Sequence, residues 1–200
     1  MTGRPGGRSA PAGQGKPPAT PGAERPRTPG AERPEAPGAG RDRDPAGRAR
    51  NARPRDALGR PLPRGAAGEE RIPDDLAVPP DEALSLAQRL LDSGRPFHAH
   101  EVLEASWKAA PPTERELWKG LAQIAVGLTH ARRGNATGAA ALLRRGGQRV
   151  GGYAGTAPYG IDAAAIAGQA ASLADRIDAG GLAAAAGDSA GFRLTYEAAE

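Results

Sequence analysis

Apolar residues fall into helical spacing only from Pro79 onward. Leu84, Ala87, Leu90 and Leu91 share one face of a helix that Asp81 can cap and Gly94 can end. Pro96 suits the first turn of a second helix, which runs to about Ala110 before Pro111-Pro112 stops it. Thr113 and Glu116 have capping-box spacing and predict a third helix to Arg133, closed by Gly134. Asn135 starts a fourth, which carries Ala139, Leu142 and Leu143 and fades at Gly146-Gly147. After a loop from Gly151 to Gly160, Asp162 opens a fifth through Ile166, Leu173 and Ile177 to Gly180. No segment alternates as a strand does, and short connectors make successive helices antiparallel. The pattern predicts an all-α fold, a small bundle of antiparallel helical hairpins with about five helices.

The third helix is the central one in this reading. Leu117, Leu121, Ile124 and Leu128 make an apolar stripe at a spacing of 3.6 residues per turn. The other side carries Gly120, Gln123, Gly127 and His130, with Val126 beside them. Glycine inside a helix costs about 1 kcal/mol relative to alanine, so two of them imply a close packing partner.

Composition sets the domain limits. Residues 1–73 hold 14 of the 20 prolines and 13 of the 29 glycines. Their large apolar residues are Met1, Leu58, Leu62 and Ile72. An eight-residue stretch beginning at Thr20 recurs in near-copy at Thr28, too short a period for a packed repeat. The expected division is a disordered Pro/Gly/Arg-rich tail over 1–74, a helical domain over 75–180 and a frayed Ala/Gly-rich end over 181–200. No apolar run is long enough for a membrane span and no apolar segment follows the basic start, so a cytoplasmic protein is expected. Zero cysteines exclude disulfides, thiolate catalysis and cysteine-ligated zinc.

The candidate chemistry lies on the second helix. Phe97, His100, Leu103, Glu104 and Trp107 occupy one sector about 120° wide when residues are set 100° apart. Two titratable groups thus stand in the stripe expected to face the core, where each would cost on the order of several kcal/mol if unpaired. Gln123 and His130 of the third helix are their expected partners. The resulting patch can serve as a hydrogen-bond network that fixes register, a divalent-metal or acid–base site, or a ligand pocket. His100, Glu101, Glu104 and His130 are the catalytic candidates, and His100, Glu104 and His130 the metal candidates. A zinc-protease His-Glu-x-x-His motif is matched only as far as Glu104, which stands where its second histidine belongs. His98 projects about 160° from His100 and cannot chelate beside it on a regular helix.

Charge is segregated along the chain. Residues 1–73 hold 15 basic and 8 acidic residues, and residues 74–200 hold 12 and 15. A basic tail can hold nucleic acid through counterion release, whereas a solvated tail with mixed charges needs no partner. No acid occurs between Leu117 and Ile161, a stretch containing Arg132, Arg133, Arg144, Arg145 and Arg149. These arginines either attract the acidic first half of the domain or form an anion-binding face beside Asn135. The aromatics that stack single-stranded bases are scarce there.

Three motifs carry a resemblance: Phe97-x-Ala99-His100-Glu101-Val102-x-Glu104-x-x-Trp107, Gly120-Leu121-x-Gln123-x-Ala125-Val126, and His130-Ala131-x-Arg133-Gly134-Asn135. In this order they resemble the domain-of-unknown-function 309 family, with Gly160-Ile161-Asp162 similar to a later segment of that family. The likeness covers roughly residues 78–180 and implies a small all-helical domain with no assigned activity. Family members usually carry glutamate where His98 stands. The expected function is a His/Glu site that binds a divalent metal or small polar ligand, with Trp107, Gln123, Arg133 and Asn135 among its ligand contacts. The alternative is a non-catalytic helical-hairpin module that binds protein or nucleic acid.

Overall fold

Pro80 needs no backbone donor in a first helical turn, so it starts α1 (Pro80–Asp92), with Asp81 and Glu82 favourably placed against the helix dipole. Pro79, not Asp81, is the cap residue. The computed structural model describes residues 53–73, 76–156 and 158–194. α1 is followed by α2 (Pro96–Ala109), α3 (Arg115–Arg132), α4 (Ala136–Gly151), α5 (Ala163–Ala184) and a five-residue α6 (Ala186–Ala190). The all-α expectation is borne out, since the one β-type pairing among the described residues is an isolated bridge between Arg55 and Pro61. No described helix is long and apolar enough to cross a membrane.

The stops and two of the caps lie where the residue types place them. Gly94 and Gly134 end their helices at φ +74° and +84°. Asn135 accepts a 2.9 Å bond from Gly138 N–H, and Asp162 one of 2.8 Å from Ala165 N–H. The capping box at Thr113 does not form. Glu114 is the cap residue without a side-chain cap bond, the Thr113 carbonyl accepts Tyr153 Oη–H at 2.8 Å, and Glu116 pairs with Lys119 and Arg149.

Each helix from α1 to α5 packs on its neighbours in sequence, so α3 lies between α2 and α4. Leu117, Leu121 and Ile124 are fully buried in the core. On the other side, a Cβ at Gly120 would lie 2.9 Å from the Gly146 carbonyl, and one at Gly127 3.0 Å from Leu143. This contact explains why α4 runs through Gly146-Gly147 instead of fading there: the glycines let two backbones approach.

Both expected flanks prove partly structured. The tail reading over 1–52 lies outside the described residues, but residues 53–73 fold as a strap against α2 and α3 (below). At the other end α5 breaks at Gly181 (φ +71°), beside its expected stop at Gly180, but the chain beyond it packs back, with Phe192 and Leu194 2% and 0% exposed. Residues 181–194 are therefore not frayed. Two large apolar side chains anchor an otherwise Ala/Gly-rich stretch whose composition hid them.

Candidate functional site

The site is built at the start of α2 and roofed by the strap. Asp56 shapes the strap's turn by accepting from Leu58 N–H at 3.0 Å and Arg60 N–H at 2.7 Å. Gly59 completes that turn at φ +73° and lies against Phe97, where an added Cβ would come within 2.2 Å of the ring. Arg133 Nε donates to the Leu58 carbonyl at 2.9 Å. The guanidinium groups of Arg55 and Arg133 lie 5.5 and 5.9 Å from the Phe97 ring centroid. One aromatic ring thus holds both strap and helix corner.

The His/Glu pair lies beside that ring. His100 is 5.8 Å from Phe97 between ring centroids, and its Nε2 is 3.2 Å from Glu104 Oε2. Glu104 also pairs with Lys108 at 3.0 Å. Burial pushes the His100 pKa below its ordinary 6.5 despite the opposing pull of Glu104. The neutral ring donates Nε2–H to the carboxylate. Arg55, Arg71, Phe97, His100, Glu101, Glu104 and Lys108 line a cavity of about 310 Å³ that also touches Ile72 and Pro73. Positive and negative groups share one hollow.

This location corrects the expectation. The pair is half-buried between α2 and the strap, not sealed between two helices, and the other candidates are drawn elsewhere. Gln123 Oε1 accepts from Arg149 Nε at 3.1 Å on the α4 side of α3. His130 Nδ1 is 2.9 Å from Asn135 Nδ2. Because Asn135 Oδ1 already takes Gly138 N–H, its amide donates to His130, which places the ring proton on Nε2. Trp107 meets Lys119, whose Nζ is 5.8 Å from the ring centroid. Of the expected companions, only Arg133 reaches the site, through Phe97. Among the described residues no group of three or more His, Cys, Asp or Glu side chains is placed to hold a metal, so the His100/Glu104/His130 triad does not assemble.

The arginines do not make one open anion face either. Arg144 bridges Asp175 and Asp178 at 2.6 Å each, and Arg149 is taken by Glu116 and Gln123. Arg132 packs beside Gly94 on the rim of a second cavity, and Arg145 is exposed. Helix-to-helix pairing uses the charge.

His98 was set aside because it faces away from His100, yet it is 2% exposed. It lies under the strap, with its ring 5.7 Å from Phe97 and donating a hydrogen bond to the Glu70 carbonyl, next to an Arg95–Glu69 pair of 2.8 Å. Its Nδ1 is buried without a partner. The overlooked signals were Leu58, Leu62 and Ile72, large apolar residues in a stretch otherwise lacking them. Of these Ile72 packs against the core, and the Leu58 carbonyl accepts from Arg133, so the strap covers a second face of α2.

Burial and the Arg95 charge hold His98 below pKa 6.5, so both imidazoles are lowered in the folded state. The unfolded chain then binds more protons as pH falls through about 6.5, and stability must fall with it. Urea midpoints at pH 7.5 and 5.5 are expected to show this loss, and His98→Gln to reduce it. A midpoint constant across that range would mean that both rings charge freely in place.

The fold and site define a small all-helical domain with a strap-covered His/Glu hollow. Residues 84–142 match the family model described as Domain of unknown function (DUF309), bearing out the resemblance carried by the three motifs. A 48-residue stretch, 24% of this chain, is 48% identical to "Uncharacterized protein YpuF" of Bacillus subtilis (strain 168) and spans 28% of that relative's length. No solved structure matches the chain.

Proposed function

We propose that the hollow under the strap binds a small zwitterionic ligand. The observation that carries this reading is a hollow of about 310 Å³ lined by charges of both signs, Arg55 and Lys108 beside Glu104. A ligand ammonium takes the place of the Lys108 ammonium at Glu104, and a ligand carboxylate meets the Arg55 guanidinium. His100 is a positioning residue, because its Nε2–H holds Glu104 in place without adding charge. Two protein ligands on one helix do not make a metal site, so the reading takes no metal.

The test is a thermal-shift screen of the twenty proteinogenic amino acids against the full chain, followed by calorimetry on any that raise Tm. A ligand at 100 times its Kd adds about 2.7 kcal/mol of stability, well within detection. Glu104→Gln is expected to abolish the shift and His100→Ala to weaken it about tenfold, the size of one lost charge-assisted contact. Equal shifts in wild type and Glu104→Gln, or none with any zwitterion, would overturn the reading.

A further inference from the structure

A second cavity of about 310 Å³ opens where α1 ends, α2 begins and α3 meets the end of α5, and it shares no lining residue with the His100/Glu104 hollow. Leu91, Leu128 and Leu182 form apolar walls from three helices. The bend at Gly181, φ +71° and ψ −175°, is a conformation confined essentially to glycine and sets Leu182 on the wall. These walls are fixed. Leu91 and Leu128 belong to the core, as do Phe192 and Leu194 just after α6, the remaining side of the cavity. Gln88 of α1 accepts Leu194 N–H at 2.7 Å and donates to the Phe192 carbonyl at 3.2 Å, and Gln169 of α5 accepts Arg193 N–H at 3.1 Å. The space is therefore formed before any ligand arrives, as small-molecule sites usually are.

Among the described residues, Arg132 is the only charged group in the lining. Its guanidinium lies over the turn between α1 and α2, where a Cβ on Gly94 would come within 2.7 Å of Nη1 and 3.1 Å of Nη2. The acids next to the lining in sequence are already engaged, Asp92 by Arg193 and Gln88, and Asp188 by Arg176 at 2.5 Å. Ser189 donates its hydroxyl to the Ala185 carbonyl at 2.9 Å. Arg133, Arg144 and Arg149 all hold protein acceptors, whereas no described hydrogen bond or ion pair reaches the Arg132 guanidinium. An unpaired planar cation thus stands at the mouth of an apolar space, and a carboxylate is the group whose geometry matches it.

We infer that this cavity binds a small amphipathic monocarboxylate, its carboxylate paired with Arg132 and its hydrocarbon body against Leu91, Leu128 and Leu182. At about 30 Å³ per water-sized group, the space takes about ten non-hydrogen atoms, the size of octanoate. A zwitterion is disfavoured here, because no acid in the lining meets its ammonium. The inference is therefore independent of the His100/Glu104 hollow.

The test is calorimetric titration of octanoate, below its micellar range, into the full chain. Octanol carries the same tail without the charge, octylammonium carries it with the opposite charge, and acetate carries the charge alone. One octanoate should bind per chain, at least about tenfold more tightly than octanol, the size of a charge-assisted contact. Acetate and octylammonium should give no saturable binding. Arg132→Gln should weaken octanoate at least about tenfold and leave octanol unchanged. Ala186→Phe, which places a ring in the lining, should weaken both. Arg132 and Ala186 are exposed, so neither change removes a core contact. Octanoate should move the amide chemical shifts of Leu128, Leu182 and Ser189. Glu104→Gln should bind octanoate as wild type does, which separates this site from the zwitterion hollow. Failure of octanoate to saturate, equal affinity for octylammonium, or an affinity unchanged in Arg132→Gln would overturn the inference. The octylammonium comparison is made on the wild-type chain and needs no variant to fold.

Discussion

Gly146→Val is expected to destabilise the domain by roughly 3 kcal/mol, lowering Tm by about 10 °C. A Cβ at this position would lie 2.7 Å from the Gly120 carbonyl oxygen and 2.8 Å from Ile124. A backbone oxygen cannot rotate away, so α3 and α4 must move apart along their whole contact. Valine's branched Cβ adds two more methyl groups at the tightest point. The helix-propensity gain over glycine is a few tenths of a kcal/mol and does not offset this. Gly168→Ala in α5 is the control, because its Cβ would meet nothing within 4 Å. That change should raise stability by about 0.5–1 kcal/mol. Thermal or urea unfolding of both variants decides the matter. Matching stabilities would mean that the close α3–α4 approach does not exist in solution.

Trp118→Ala should cost about 3–5 kcal/mol, the range for truncating a buried large aromatic side chain. Trp118 is 2% exposed near the start of α3, and its ring centroid is 5.8 Å from that of Tyr159. It is therefore the floor on which the connection from α4 to α5 rests. Tyr159 adopts φ +57° and donates its hydroxyl to Glu114, a bond that pushes the phenol up to about 12. Without the Trp118 ring, Tyr159 loses its support and the bond to Glu114. Its ionisation should then return toward the ordinary value near 10, which ultraviolet titration reads directly. A variant that unfolds at the wild-type midpoint and keeps the late-titrating tyrosine would show that the ring is not packed there.

Much of the helical body was legible along the chain because its signals are local. Gly94, Gly134, Asn135 and Asp162 act within one turn of themselves, so residue type and position were enough to place them. The small residues at Gly120 and Gly127 announced a close neighbour on a second side of α3. The His100–Glu104 contact was legible for the same reason, since a four-residue separation puts both groups on one helix face.

The errors came where a residue's partner is distant in sequence. Thr113 and Glu116 have capping-box spacing, but Tyr153 and Arg149 of α4 engage the same groups. Gln123 and His130 looked like partners for His100, yet the first faces α4 and the second is held by the residue that caps α4. Residues 53–73 and 181–194 read as unstructured because glycine, proline and alanine dominate them. A few anchors reversed that in each case: Ile72 on the core with Gly59 against Phe97, and Phe192 with Leu194 under two glutamines. Average composition measures how little a segment can bury, whereas docking depends on whether its few large side chains find a cavity.

Residue order by itself determined the all-helical class, the stops at Gly94 and Gly134, the caps at Asn135 and Asp162 and the presence of an ionisable pair on α2, because these depend on backbone conformation and on contacts within four residues. Only the tertiary structure decided what covers that pair, which arginines are already spent on carboxylates, and that Gln88 and Gln169 converge on one short segment from opposite sides. Those outcomes depend on distances between groups up to 106 residues apart, which helical periodicity does not encode.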